Sequence, residues 1–63
     1  MCELKVIINK MIVFEDAVYA TTVENKVVVK GIMGNSKEFN NHAITEVNIP
    51  QERLILSPTH TQN

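Results

Sequence analysis

The run "LKVIIN" (Leu4 to Asn9) sets Leu4, Val6 and Ile8 against Lys5, Ile7 and Asn9. This period of two lays one set of side chains on one face of a sheet. The same short, β-rich pattern returns along the chain, interrupted each time within a few residues by turn chemistry, and no helix of useful length is visible. "MIVF" (Met11 to Phe14) follows Asn9 and Lys10, which can turn the chain, and Glu15 and Asp16 then break the apolar run. "AVYATTV" (Ala17 to Val23) is rich in β-branched and aromatic residues, "ENK" supplies a turn, and "VVVKGIM" (Val27 to Met33) returns as the second arm of a hairpin. Gly34 and Asn35 can adopt the positive φ of a tight turn, which pairs "SKEFN" (Ser36 to Asn40) back on the preceding strand. "AITEVNI" (Ala43 to Ile49) reads as a strand with Ala43, Thr45, Val47 and Ile49 on one face. Pro50 ends its ladder because it has no N–H to donate, and "RLILS" (Arg53 to Ser57) is the last strand.

These segments predict an all-β fold, a small antiparallel β-barrel or meander of six to seven short strands. One domain is expected over residues 1–57, followed by a disordered polar tail over 58–63. A chain of 63 residues buries only about 60% of the surface its unfolded form exposes, so a partner subunit would add stability. Small scaffolds gain that support from disulfides, a metal or oligomerisation, and the single cysteine, Cys2, cannot close a disulfide within its own chain. Metal, dimerisation or both remain. With no signal peptide and no apolar run of about 18 residues, the chain is expected in the cytoplasm and off the membrane.

The formal net charge is -1, and Lys5, Lys10, Lys26, Lys30, Lys37 and Arg53 are scattered along the sequence. That distribution has no electrostatic footprint for phosphate, and Phe14, Tyr19 and Phe39 are the only aromatics. Nucleic acid is therefore not expected as a partner.

For catalysis the inventory is poor, and no enzyme is expected. Gly31 and Gly34 are too few for a phosphate loop, and nothing in the spacing of Cys2, His42 and Asp16 implies that they meet. His42 reads as a loop histidine in water, and His60 falls in the tail. Cys2 has its own chemistry. Removal of the initiator methionine, which a small second residue permits, would leave Cys2 carrying both a thiol and the α-amine. Those two groups chelate a metal in a five-membered ring, and nitrogen and sulfur donors in a square plane suit Ni(II) or Cu(II), whereas Zn(II) prefers a tetrahedron. One chain supplies too few strong ligands, but two Cys2 residues side by side in a dimer would supply an N2S2 set. The alternative is a small residue packing at the barrel mouth, since free cysteine behaves as a small hydrophobe.

"MCE", the strand "LKVII", "ENKVVVKGIMGNSKEF" and "AITEVNIPQERLIL" together resemble the CooT family of small nickel-binding proteins, which has also carried a predicted RNA-binding label. The resemblance runs from Met1 to about Leu56. It implies a small β-barrel homodimer that binds Ni(II) through Cys2 at the dimer interface, with a role in nickel delivery to carbon monoxide dehydrogenase. Only Cys2 carries over as a ligand. A metallochaperone or buffer is thus the leading expectation, with a nickel enzyme or its maturation factors as partners. An RNA-binding small barrel and a plain interaction subunit, pairing through an exposed strand edge such as "MIVF", are the alternatives.

Overall fold

The computed structural model describes residues 3–59. All its regular elements are strands: β1 (Leu4–Ile8), β2 (Met11–Val23), β3 (Lys26–Gly31), β4 (Ser36–Asn40), β5 (His42–Asn48) and β6 (Arg53–Pro58). They form one six-stranded sheet in the order β4-β3-β2-β1-β6-β5. Among the described residues no helix is long and apolar enough to cross a membrane. The all-β expectation is borne out, with one departure from an antiparallel sheet: β1 and β6 run parallel, with Lys5 beside Arg53 and Ile8 beside Leu56.

Local chemistry explains the hairpins. Asn9 and Lys10 both have positive φ between the paired residues Ile8 and Met11, the two-residue turn whose twist matches that of the strands it joins. Glu24 has positive φ in the turn between Val23 and Lys26. Gly34 does so, at φ 90, in the turn between β3 and β4, where a side chain would be strained. Before Arg53, the N–H of Glu52 donates to the Ile49 carbonyl at 3.0 Å across Pro50 and Gln51, and Asn48 Oδ1 accepts from the Gln51 N–H at 3.1 Å. Ile32 and Met33, expected at the end of a strand, lie in the β3–β4 turn instead.

The residues Glu15 and Asp16, which read as a break, instead bend a continuous strand. Asp16 has φ 61, and the pairing of β2 shifts register around it. The first half of β2, from Met11 to Ala17, pairs with β1, whereas the second half, from Ala17 to Val23, pairs with β3. A bulge of this kind bends a strand and lets it pass from one part of a sheet to another. Ala17, only 1% exposed, occupies the corner where both ladders meet.

At the other end a single residue, Asn41, joins β4 to β5, although these strands stand at opposite ends of the sheet order. Three consecutive Cα atoms span at most about 7 Å, so the sheet has to roll until its two ends approach each other. Asn41 secures the junction in the left-handed region, at φ 60, which asparagine tolerates better than most residues. Its N–H donates to the Asn25 carbonyl at 2.7 Å, and its carbonyl accepts from the Thr59 N–H at 2.8 Å. No strand ladder joins β4 to β5 among the described residues, so the roll stays open.

Inside it lies a core of Val6, Ala17, Val27, Val29, Phe39, Leu54 and Leu56, with Leu4, Ile8, Val13, Phe14, Ala20 and Ile44 packed against it. Leu4, Val6 and Ile8 all turn inward, as their alternation predicts. The face expected for β5 is overturned. Register slips between Ile44 and Glu46, so Ile44 pairs with Leu56 and Val47 with Leu54, while Glu46 pairs with Ile55. The extra residue at Thr45 moves Val47 to the side of Ile44 and away from the simple alternation. The last strand extends to Pro58, one residue beyond the expected domain boundary at 57.

Candidate metal centre and the surfaces around it

Cys2, the expected nickel ligand, and His60 lie outside the described residues. Among the described residues, no group of three or more His, Cys, Asp or Glu side chains gathers so as to hold a metal ion. Leu4 is two positions after Cys2 in the sequence. Its side chain borders an apolar groove of about 220 Å³, together with Val18, Tyr19, Ile44, Val47 and Leu54. None of the groove's lining residues is charged, and Val18, Tyr19 and Val47 are each 50–55% exposed. Strands β1, β2, β5 and β6 supply its lining.

The structure does not bring His42 to this end. His42 begins β5 opposite Pro58, whereas Lys5, near the start of β1, lies beside Arg53. Five residues of β6 separate the two places, about 16 Å at the rise of a strand. The imidazole is half-buried rather than a loop side chain in water; its Nδ1 lies 2.8 Å from the Asn40 carbonyl, to which an Nδ1–H donates, and its ring meets Phe39 edge-on at 6.4 Å between centroids. This is a structural role. Asp16 is exposed at the β2 bulge, where its carbonyl accepts from the Ile32 N–H at 3.0 Å. His42 and Asp16 thus serve the strand junction and the bend, and the described residues bury no polar or charged side chain.

Of the three aromatics, Phe39 is buried, Phe14 packs against the core and Tyr19 alone is exposed. Lys30 Nζ sits 5.0 Å from the Tyr19 ring centroid. A single exposed ring makes a poor platform for successive bases, which single-strand binders stack on several aromatic faces.

One gathering was not legible in the spacing of the basic residues. Lys5, Lys10 and Arg53 line a groove of about 600 Å³ on the opposite face of β1, β2 and β6. Nothing in the linear sequence brings residue 53 beside residue 5; the parallel pairing of β1 with β6 does so.

The family model described as the CO dehydrogenase accessory protein CooT matches residues 1–57, nearly the whole chain and with it Cys2. The chain belongs to the CooT family. The description of the family is that of an accessory protein. The link to CO dehydrogenase fits a role in enzyme maturation. A search of curated proteins finds no match.

Proposed function

We propose that the chain is a cytoplasmic nickel-binding accessory protein, a chaperone or buffer rather than an enzyme. In this reading Cys2 thiolates of two subunits bind Ni(II) at the interface of a homodimer, and the metal is cargo for a nickel enzyme or its maturation factors. The observation that carries the proposal is the match over residues 1–57 to a family described as a CO dehydrogenase accessory protein, which covers the cysteine.

The apolar groove beside Leu4 supports the dimer. A second copy seated there would cover Val18, Tyr19 and Val47, and the chain from Leu4 back to Cys2 has a reach of only about 7 Å. Two cysteines could then approach across the interface. Each contributes a thiolate, and a nitrogen from the α-amine or the backbone completes a donor set suited to Ni(II). The dimer also supports the thin core of a small domain.

The test is a Ni(II) titration of tag-free protein beside Cys2→Ser, read by thiolate-to-metal charge-transfer absorption with a competing chelator. Loss of tight binding in Cys2→Ser, with the far-UV spectrum unchanged, is the expected result. Equal affinity in the two proteins would sink the proposal. Binding should also weaken as pH falls, because thiolate and amine must lose their protons to bind metal.

A further inference from the structure

Residues Ile12 of β2, Ile7 of β1 and Ile55 of β6 form one continuous cross-strand row, since Ile7 pairs with Ile12 on one side and with Ile55 on the other. The row floors the groove of about 600 Å³. Lys5 and Arg53, side by side on β1 and β6, border it on one flank, and Lys10 borders it from the β1–β2 turn. Lys5 and Lys10 stand on either side of the row, about 13 Å apart along the strand at about 3.3 Å per residue. Three of the chain's six basic residues therefore share one face of a protein whose formal net charge is -1.

Among the described residues, none of these cations forms an ion pair with a carboxylate. The one ion pair among the described residues is Lys26 with Glu38, on β3 and β4, at 3.4 Å. Arg53 instead donates from Nη1 to Gln51 Oε1 at 3.3 Å, a neutral partner that leaves its charge free. By register the nearest acidic residues are Glu15 and Asp16 of β2, opposite Lys5 at the bulge, and Glu52, next to Arg53; the Glu52 carbonyl accepts from the Lys5 N–H at 2.9 Å, and none of the three lines the groove.

We infer that this face docks an extended acidic segment of another protein, with aliphatic side chains laid on the Ile7–Ile12–Ile55 row and carboxylates reaching Lys5, Lys10 and Arg53. The charge pattern selects that occupant. Cations at both flanks with an aliphatic strip between them match a segment that alternates acidic and aliphatic residues, the period of an extended chain. Nucleic acid matches poorly, because no aromatic ring lines the groove to stack a base. The small size of a single inorganic anion leaves the isoleucine row uncovered. In a metal-carrying accessory protein this face is where a client would be recognised, although the inference stands on the groove and not on the metal.

The test is a titration of isotopically labelled full-length protein with a synthetic peptide of alternating glutamate and leucine, followed by amide and methyl shifts at low salt. The same titration is made with a glutamine-for-glutamate peptide, with an oligouridylate and with inorganic phosphate. Shifts centred on Lys5, Ile7, Lys10, Ile12, Arg53 and Ile55, seen with the acidic peptide alone, are expected. The double variant Lys5→Glu, Arg53→Glu should weaken that binding at least tenfold, and the milder Lys5→Gln, Arg53→Gln pair should do so several-fold while keeping the wild-type spectrum elsewhere. Equal binding of the glutamine peptide, preference for the oligonucleotide or phosphate, or no shift at these residues would overturn the inference. Repeating the titration with Cys2→Ser separates the two readings, since peptide binding should survive loss of the thiol.

Discussion

Strands β1, β2 and β6 present two faces of opposite character. Inward they send Val6, Ala17, Leu54 and Leu56, none more than 2% exposed, and Leu4 and Val18 line an uncharged groove. Outward the same strands carry the isoleucine row with Lys5, Lys10 and Arg53 around it. The core residues of the inner face are shielded from water by the chain itself. The outer face keeps a shallow groove, and its charges have no acidic partner among its lining residues. The difference separates what holds the domain together from what it offers to other molecules. It also separates two unlike surfaces on one small chain, an uncharged groove beside the start of β1 and a cationic groove behind it.

Substitutions on the two faces should therefore fail in different ways. Leu56→Ala removes a side chain 1% exposed at the centre of the core and should cost about 2–5 kcal/mol in a denaturant titration, enough to threaten a domain of this size. A cost below 1 kcal/mol would mean that the rolled sheet collapses around the cavity or that the core is not shared as described. Next in size is the pair Val18→Asp with Val47→Asp, both about half exposed and both lining the uncharged groove. It should weaken dimerisation roughly a hundredfold by sedimentation, close to 2.7 kcal/mol, because each charge would be buried against an apolar partner. The chain's fold should persist. A dimer of wild-type affinity would move the interface elsewhere and break the contrast between the faces. The smallest effect is expected for Ile12→Ser on the outer row, where the side chain is 51% exposed. Its stability change should be about 1 kcal/mol or less, with the dimer intact, whereas binding of the acidic peptide should fall several-fold.

Legibility in the sequence followed the range of the interactions. The hairpins rest on neighbours, and the turns at Asn9–Lys10 and Gly34 could be read because positive φ and turn chemistry are local properties. Period-two alternation likewise identified Leu4, Val6 and Ile8 as inward-facing. Bulges defeated the same rule. Glu15 and Asp16 look like a break between strands and are in fact a bend within β2, and the extra residue at Thr45 reverses the alternation that would have set Val47 opposite Ile44. The β1–β6 pairing joins segments some fifty residues apart in parallel, a contact whose specification is spread over the whole roll rather than held in either strand. That is why the cations look scattered in the sequence and meet in space. The role proposed for Cys2 rests on the family match and on its donor chemistry, not on periodicity or packing.

We propose that two chains hold one nickel between their Cys2 residues. Native mass spectrometry of tag-free protein loaded with limiting Ni(II) tests it directly, with Cys2→Ser run in parallel. The account predicts a species of two chains with one nickel, missing from the serine variant. One nickel on each single chain, or nickel retained by the serine variant, would contradict it.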